Sequence, residues 1–199
     1  MDRGLRLAAL AAFAFVMLFA GGCADDESTR SVVTVVSIND NRPLQSDVRD
    51  LGDDPYDMSD DSIMDDVVEV TLANYPHDEA LNLVPGMPFG DVIFTEYNVT
   101  FIRDDDDGPA PAPFTGAMYL KVPNAQRNPI SYIPPTGHIL LVPASLKLVS
   151  PLNDLAYGGG QINARACVEF VGRETTSNDV VKVEATVNVA FANYVDEDD

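Results

Sequence analysis

The C-terminal part of the chain admits few folds. From Gln161 to Gly172 every second residue is apolar or small: Ile162, Ala164, Ala166, Val168 and Phe170. From Val181 to Asn193 the alternation returns with Val181, Val183, Ala185, Val187, Val189 and Phe191, opposed by Lys182, Glu184, Thr186 and Asn188. A period of two sends alternate side chains to opposite faces of a strand, so each run has one face that must be covered. The polar break from Arg173 to Asp179 makes the pair an antiparallel hairpin.

Upstream, the same grammar recurs in shorter pieces. Ser31 to Ile38 is β-branched and dense, which favours a strand. Val67 to Asn74 puts Val68, Val70 and Leu72 on one face, Asp91 to Arg103 does so with Tyr97, Val99 and Phe101, and Phe114 to Val122 with Met118, Leu120 and Val122. His138 to Val149 reads as a strand with Leu140, Val142, Ala144, Leu146 and Leu148 in phase; Pro143 falls out of phase and marks an edge or a bulge. Leu44 to Val48 adds a short edge strand, Asn39-Asp40-Asn41 a turn, and Pro151 to Gly160 a loop, while residues 42–66 form a long Asp-rich connection with a helical turn near Ser59 to Met64. No amphipathic helix is expected. Strands that are apolar on one face need a second sheet to cover them. The expectation is an all-β chain: an antiparallel two-sheet β-sandwich of about seven strands over 31–195, followed by an acidic tail at 196–199.

The first residues carry a different signal. Arg3 and Arg6 precede an uncharged run from Leu7 to Ala20, the layout of a secretory signal over 1–22. Leu18-Phe19-Ala20-Gly21-Gly22-Cys23 resembles the lipobox of bacterial lipoproteins, with Ala20 where Leu is commoner. The resemblance implies cleavage before Cys23, a diacylglycerol on its thiol and an acylated new amino terminus. More than one acyl chain holds a protein firmly to a bilayer. Residues 23–30 then form a lipidated acidic tether, able to span roughly 20 Å when extended. Ala24 after the cysteine implies, by the same resemblance, sorting to the outer membrane rather than retention at the inner one.

Charge and cysteine count remove several function classes. The chain holds 12 Lys+Arg against 32 Asp+Glu, a formal net charge of −20, which argues against nucleic acid and anionic lipid surfaces as partners. With Cys23 lipidated, Cys167 has no internal disulfide partner, and in the alternation it shares the outer face with Asn163, Arg165 and Glu169. No haem-attachment, zinc, nucleophile-elbow or phosphate-loop motif occurs, and no carboxylate pair is singled out for catalysis. Asp104, Asp105, Asp106 and Asp107, before Gly108, supply the hard oxygens that calcium takes, although their spacing is not that of an EF-hand loop. Tyr56, Tyr75, Tyr132 and Tyr157 are loop aromatics that a carbohydrate site could use.

The final hairpin, with its longer run ending Ala190-Phe191-Ala192-Asn193-Tyr194, resembles the last two strands of bacterial immunoglobulin-like or fibronectin-III-like modules. Residues 31–195 behind the lipobox are similar to uncharacterised bacterial lipoproteins with one such domain. That resemblance implies a membrane-tethered lipoprotein of the cell envelope, without catalytic activity or cofactor, acting as a structural or protein-interaction module with an envelope partner. The alternative is a calcium- or carbohydrate-binding module of the same architecture.

Overall fold

The structure, a computed structural model, describes residues 31–49, 62–76, 90–105, 108–125 and 132–194. The signal and tether, Cys23, Asp106, Asp107, the helical turn expected to begin at Ser59 and the acidic tail lie wholly or largely outside these residues. The chain is mostly β, in two sheets. Its strands are β1 (Ser31–Ile38), β2 (Leu44–Asp47), β3 (Asp66–Pro76), β4 (Val92–Arg103), β5 (Phe114–Val122), β6 (Thr136–Val142), β7 (Gln161–Glu174) and β8 (Val180–Ala192). The smaller sheet has the order β1-β3-β6; the larger, curled one has the order β2-β8-β7-β4-β5.

The expected hairpin is the centre of the larger sheet. β7 and β8 pair antiparallel from Gln161↔Ala192 to Arg173↔Val180, and β4 runs antiparallel on the other side of β7. Most residues assigned to the inner face are buried: Ile162, Ala164, Ala166, Val168 and Phe170 on β7, and Val181, Val187, Val189 and Phe191 on β8, while Val183 and Ala185 of β8 are only partly buried against the core. In β4 the register shifts between Phe94 and Glu96, a bulge that brings both Phe94 and Tyr97 inward. Aromatic rings then meet edge to face along the inner face of this sheet, Phe94 on Phe170 and Phe101 on Phe191 at 6.4 and 5.7 Å.

Two expectations fail in one segment. The strand assigned to His138–Val149 stops at Val142, and Ala144–Lys147 and Leu152–Gly158 are helices, α1 and α2. Pro143 fixes φ at −64° just before α1, and Asp65 Oδ1 accepts the Ala144 amide at 2.6 Å, satisfying a first-turn donor that the fold would otherwise leave open. Leu152 and Leu155 are buried, three residues apart on one face of α2, a helical spacing too short to stand out in the sequence. The inward phase of β6 also differs. Ile139 and Leu141 face the core and Leu140 does not, because Val68, an inward residue of β3, pairs with Ile139. A register shift near Val142 turns that residue inward as well.

A side chain of the larger sheet reaches the backbone of the smaller one. The Tyr97 hydroxyl donates to the Leu140 carbonyl at 3.0 Å and accepts the Leu140 amide at 3.1 Å. It thus satisfies both backbone groups of that residue on β6, an edge strand. Its ring lies across Gly116, the cross-strand neighbour of Tyr97 on β5, where any Cβ would fall inside the ring atoms. Burial pushes the Tyr97 pKa up, and the Leu140 hydrogen bond partly offsets the shift. Tyr97→Phe should therefore cost about 1–3 kcal/mol, measured by urea unfolding with an unchanged m-value. The raised tyrosine pKa also means that its share of stability is intact below pH 10 and fades as pH rises toward the folded value. Tyr97→Phe should consequently flatten part of the alkaline fall in stability; an unaltered alkaline limb would show that this phenol is not the sensitive group.

Candidate functional site

Three polar constellations interrupt the apolar interior and the sheet surface. The first lies at the near pole, where β1 begins. Ser31 Oγ donates to the Gly90 carbonyl at 2.6 Å, and Asn74 Nδ2 donates to the same carbonyl at 2.7 Å and to that of Val122 at 3.3 Å. Those two acceptors fix the orientation of the Asn74 amide, so its Oδ1 points away from both and, like Asn124 Oδ1, has no donor. Asp91 receives the Asn124 amide at 3.1 Å and pairs with Lys121 at 2.8 Å; that hydrogen bond and charge raise the Lys121 pKa. Tyr132 receives the Asn74 amide at 3.3 Å and donates to Pro123, and burial raises its pKa. These contacts tie the ends of β3, β4 and β5 to the start of β1.

The second constellation is a latch at the far pole. Lys147, at the end of α1, has a side chain only 1% exposed. Its ammonium meets Asp66 Oδ2 at 3.0 Å and the Met64 carbonyl at 2.8 Å, and Ser46 Oγ donates to the same carboxylate oxygen at 2.6 Å. A strand from each sheet, a helix and the end of the Asp-rich connection converge on one carboxylate. Ser46 and Lys147 share an acceptor here, and Lys147 is a cation held by its counter-ion; the arrangement is a tie, not a nucleophile with its base.

The third is a cleft at the sheet surface. Asn39, Asp40 and Asn41 all have positive φ, 50°, 52° and 59°, one turn of left-handed backbone between β1 and β2. Such residues cost about 1–2 kcal/mol each, least for Asn and Asp. The turn is closed by the Arg42 amide on the Asn39 carbonyl at 2.8 Å and by Asn39 Nδ2 on the Arg42 carbonyl at 2.9 Å. It carries the chain from one sheet to the other, where β2 runs parallel to β8. β2 covers β8 only from Val189 to Ala192. Beside the uncovered stretch lies a cleft of about 290 Å³, with Ile38, Pro43 and Val187 as its apolar lining and Asn41, Arg42, Thr186 and Asn188 as its polar one.

The residues singled out in the sequence fall elsewhere. Asp104 pairs with Arg165 at 3.3 Å, and Asp105 holds Arg103 in a two-point contact at 2.6 and 3.0 Å. Asp106 and Asp107 are outside the described residues. Among the described residues no three His, Cys, Asp or Glu side chains gather as metal ligands. Cys167 is a free, half-buried thiol between Thr100 and Thr186 in the cross-strand register. Tyr75 and Tyr132 lie 6.4 Å apart, Tyr157 stacks under Arg49, and Tyr56 is outside the described residues. Nothing in the sequence pattern pointed to Lys147 or Arg42: both look like ordinary surface cations. The run Asn39-Asp40-Asn41 was legible as a turn but not as a left-handed one.

Comparisons with protein families, with characterised proteins and with solved structures return no match to this chain.

Lys147→Ala should cost about 3–5 kcal/mol, because it takes the buried cation away from the part-buried Asp66 carboxylate and from the Met64 carbonyl. The pair Lys147→Met with Asp66→Asn should cost less, since the charge leaves with its partner. Urea melts giving equal losses for the two would mean that the ion pair is not what holds this corner.

Proposed function

We propose that this chain is a lipid-anchored protein of the bacterial cell envelope, most simply of the outer membrane, whose described residues form an immunoglobulin-like sandwich that binds a protein partner. Several features support the sandwich. Strands β8, β7, β4 and β5 follow the G-F-C-C′ order of a variable-type sheet, and β1, β3 and β6 the A-B-E order of its partner sheet. The first strand divides between the sheets at the Asn39–Asn41 turn, so β1 and β2 bind both layers at the start of the domain. Lipid attachment at Cys23 would place the near pole toward the bilayer, because β1 begins at Ser31, a few residues beyond the cysteine.

The observation that carries the interaction reading is the edge strand β5. Among the described residues it has no neighbour on one side, and its Tyr119 is 75% exposed. Tyr119 and Ile133, the latter 86% exposed, are the most exposed large apolar side chains among the described residues. An unpaired edge offers main-chain hydrogen bonds to an extended segment, and exposed tyrosine is enriched at interfaces. Strand addition along β5 is the contact that this surface suits.

Two measurements test the reading. Cys23→Ser should move the protein from the membrane to the soluble fraction with an unchanged thermal midpoint, as the domain starts only at Ser31; retention in the membrane would refute the anchor. A photo-crosslinking p-benzoylphenylalanine in place of Tyr119 should trap one recurrent protein species in whole cells, and the same probe in place of Glu184 on β8 should not. Equal patterns from both positions would remove the β5 edge as the contact.

A further inference from the structure

Arg42 is the outlier of the charge map. The described residues contain eight lysines and arginines. Lys121, Lys147, Arg103, Arg165 and Lys182 sit on carboxylates. Arg173 donates to the Asn178 carbonyl, and Arg49 lies over the Tyr157 ring. Arg42 alone, among the described residues, makes no hydrogen bond, ion pair or ring contact through its side chain, and it is exposed. In a chain with net charge −20 there are carboxylates enough to pair every cation, yet this one lines a cleft without any.

The surroundings of Arg42 narrow what would fill that position. A guanidinium offers a planar fork of N–H donors that fits a carboxylate at two points. Asn41, Asn188 and Thr186 add amide and hydroxyl groups that both donate and accept, the pattern that ring hydroxyls require. Pro43, which is exposed, gives the C–H face of a ring an apolar surface to rest on, while Ile38 and Val187 reach the cleft from the core and are themselves buried. The volume of about 290 Å³ is at the lower end of small-ligand sites and matches one sugar unit rather than a long segment. The two hydrogen bonds that close the left-handed turn fix the backbone at Arg42 before any ligand arrives, so the ordering cost left for binding is that of the Arg42 side chain. Backbone held in a sparsely populated region beside a cleft is where a binding function is to be sought.

We propose that this cleft binds a sugar acid, a pyranose carrying a carboxylate such as a uronic acid unit of a glycan, with Arg42 on the carboxylate and Asn41, Thr186 and Asn188 on the hydroxyls. The site is independent of the lipid anchor and of the β5 edge.

The test is an NMR titration of the full chain in detergent with galacturonate, galactose and acetate. Galacturonate should give saturable amide shifts confined to Asn39–Arg42 and Thr186–Asn188. Galactose and acetate should each bind at least tenfold more weakly, since each lacks one half of the recognition. Arg42→Ala, at an exposed position and checked for an unchanged thermal midpoint, should weaken galacturonate at least tenfold and leave galactose unaffected. The proposal is overturned if galacturonate gives no saturable shift or if Arg42→Ala binds it equally well. It also falls if galactose binds as tightly, which would make this a neutral-sugar site, or if acetate does, which would make it a bare anion site.

Discussion

The hydroxyl of Tyr97 holds the two sheets in register. Apolar packing between sheets is strong but non-directional, and it leaves the backbone groups of an edge strand looking for partners. Here one phenol bonds both the N–H and the C=O of Leu140, so the edge of β6 is tied to β4 by two directional contacts. The bulge in β4 turns Tyr97 inward, and Gly116 on β5 leaves room for its ring. Three features on different strands thus act together, and none of them is useful alone.

Buried polarity elsewhere follows the same logic. Asn74 and Ser31 converge on the Gly90 carbonyl at one pole, and Lys147 and Ser46 converge on Asp66 at the other. Each cluster joins segments far apart in sequence, where a slip of one residue would break several charged or amide contacts at once. A purely apolar core would tolerate such slips more readily. The clusters therefore specify the arrangement as much as they stabilise it. On the outer face of the larger sheet, Lys182, Glu169, Asn98 and Thr115 form a cross-strand polar row over β8, β7, β4 and β5, which keeps that face in water.

The left-handed turn at Asn39–Asn41 links fold to surface. It lets one N-terminal segment serve both sheets, and in doing so it sets Arg42 beside the stretch of β8 that β2 does not cover. The cleft is a by-product of the crossing from sheet to sheet. Its chemistry comes from the residues that happen to line it. A chain so acidic would be expected to neutralise its few cations internally, and in seven of the eight described cases the structure shows a contact that does so or shields the charge.

By itself the sequence determined the all-β character, nearly every strand and the inward residues of β3, β4, β7 and β8, because a period of two is a local property that burial on one face leaves visible. It did not determine the inward phase of β6 or the end of that strand. The phase depends on pairing with Val68, and the end depends on Asp65 reaching the Ala144 amide from far along the chain. Nor could it separate Arg42 and Lys147 from other cations. Whether a charged side chain is paired, buried or left open is decided by which strands meet, and only the tertiary structure brings Asp66 to Lys147 and leaves Arg42 without a counter-ion among the described residues.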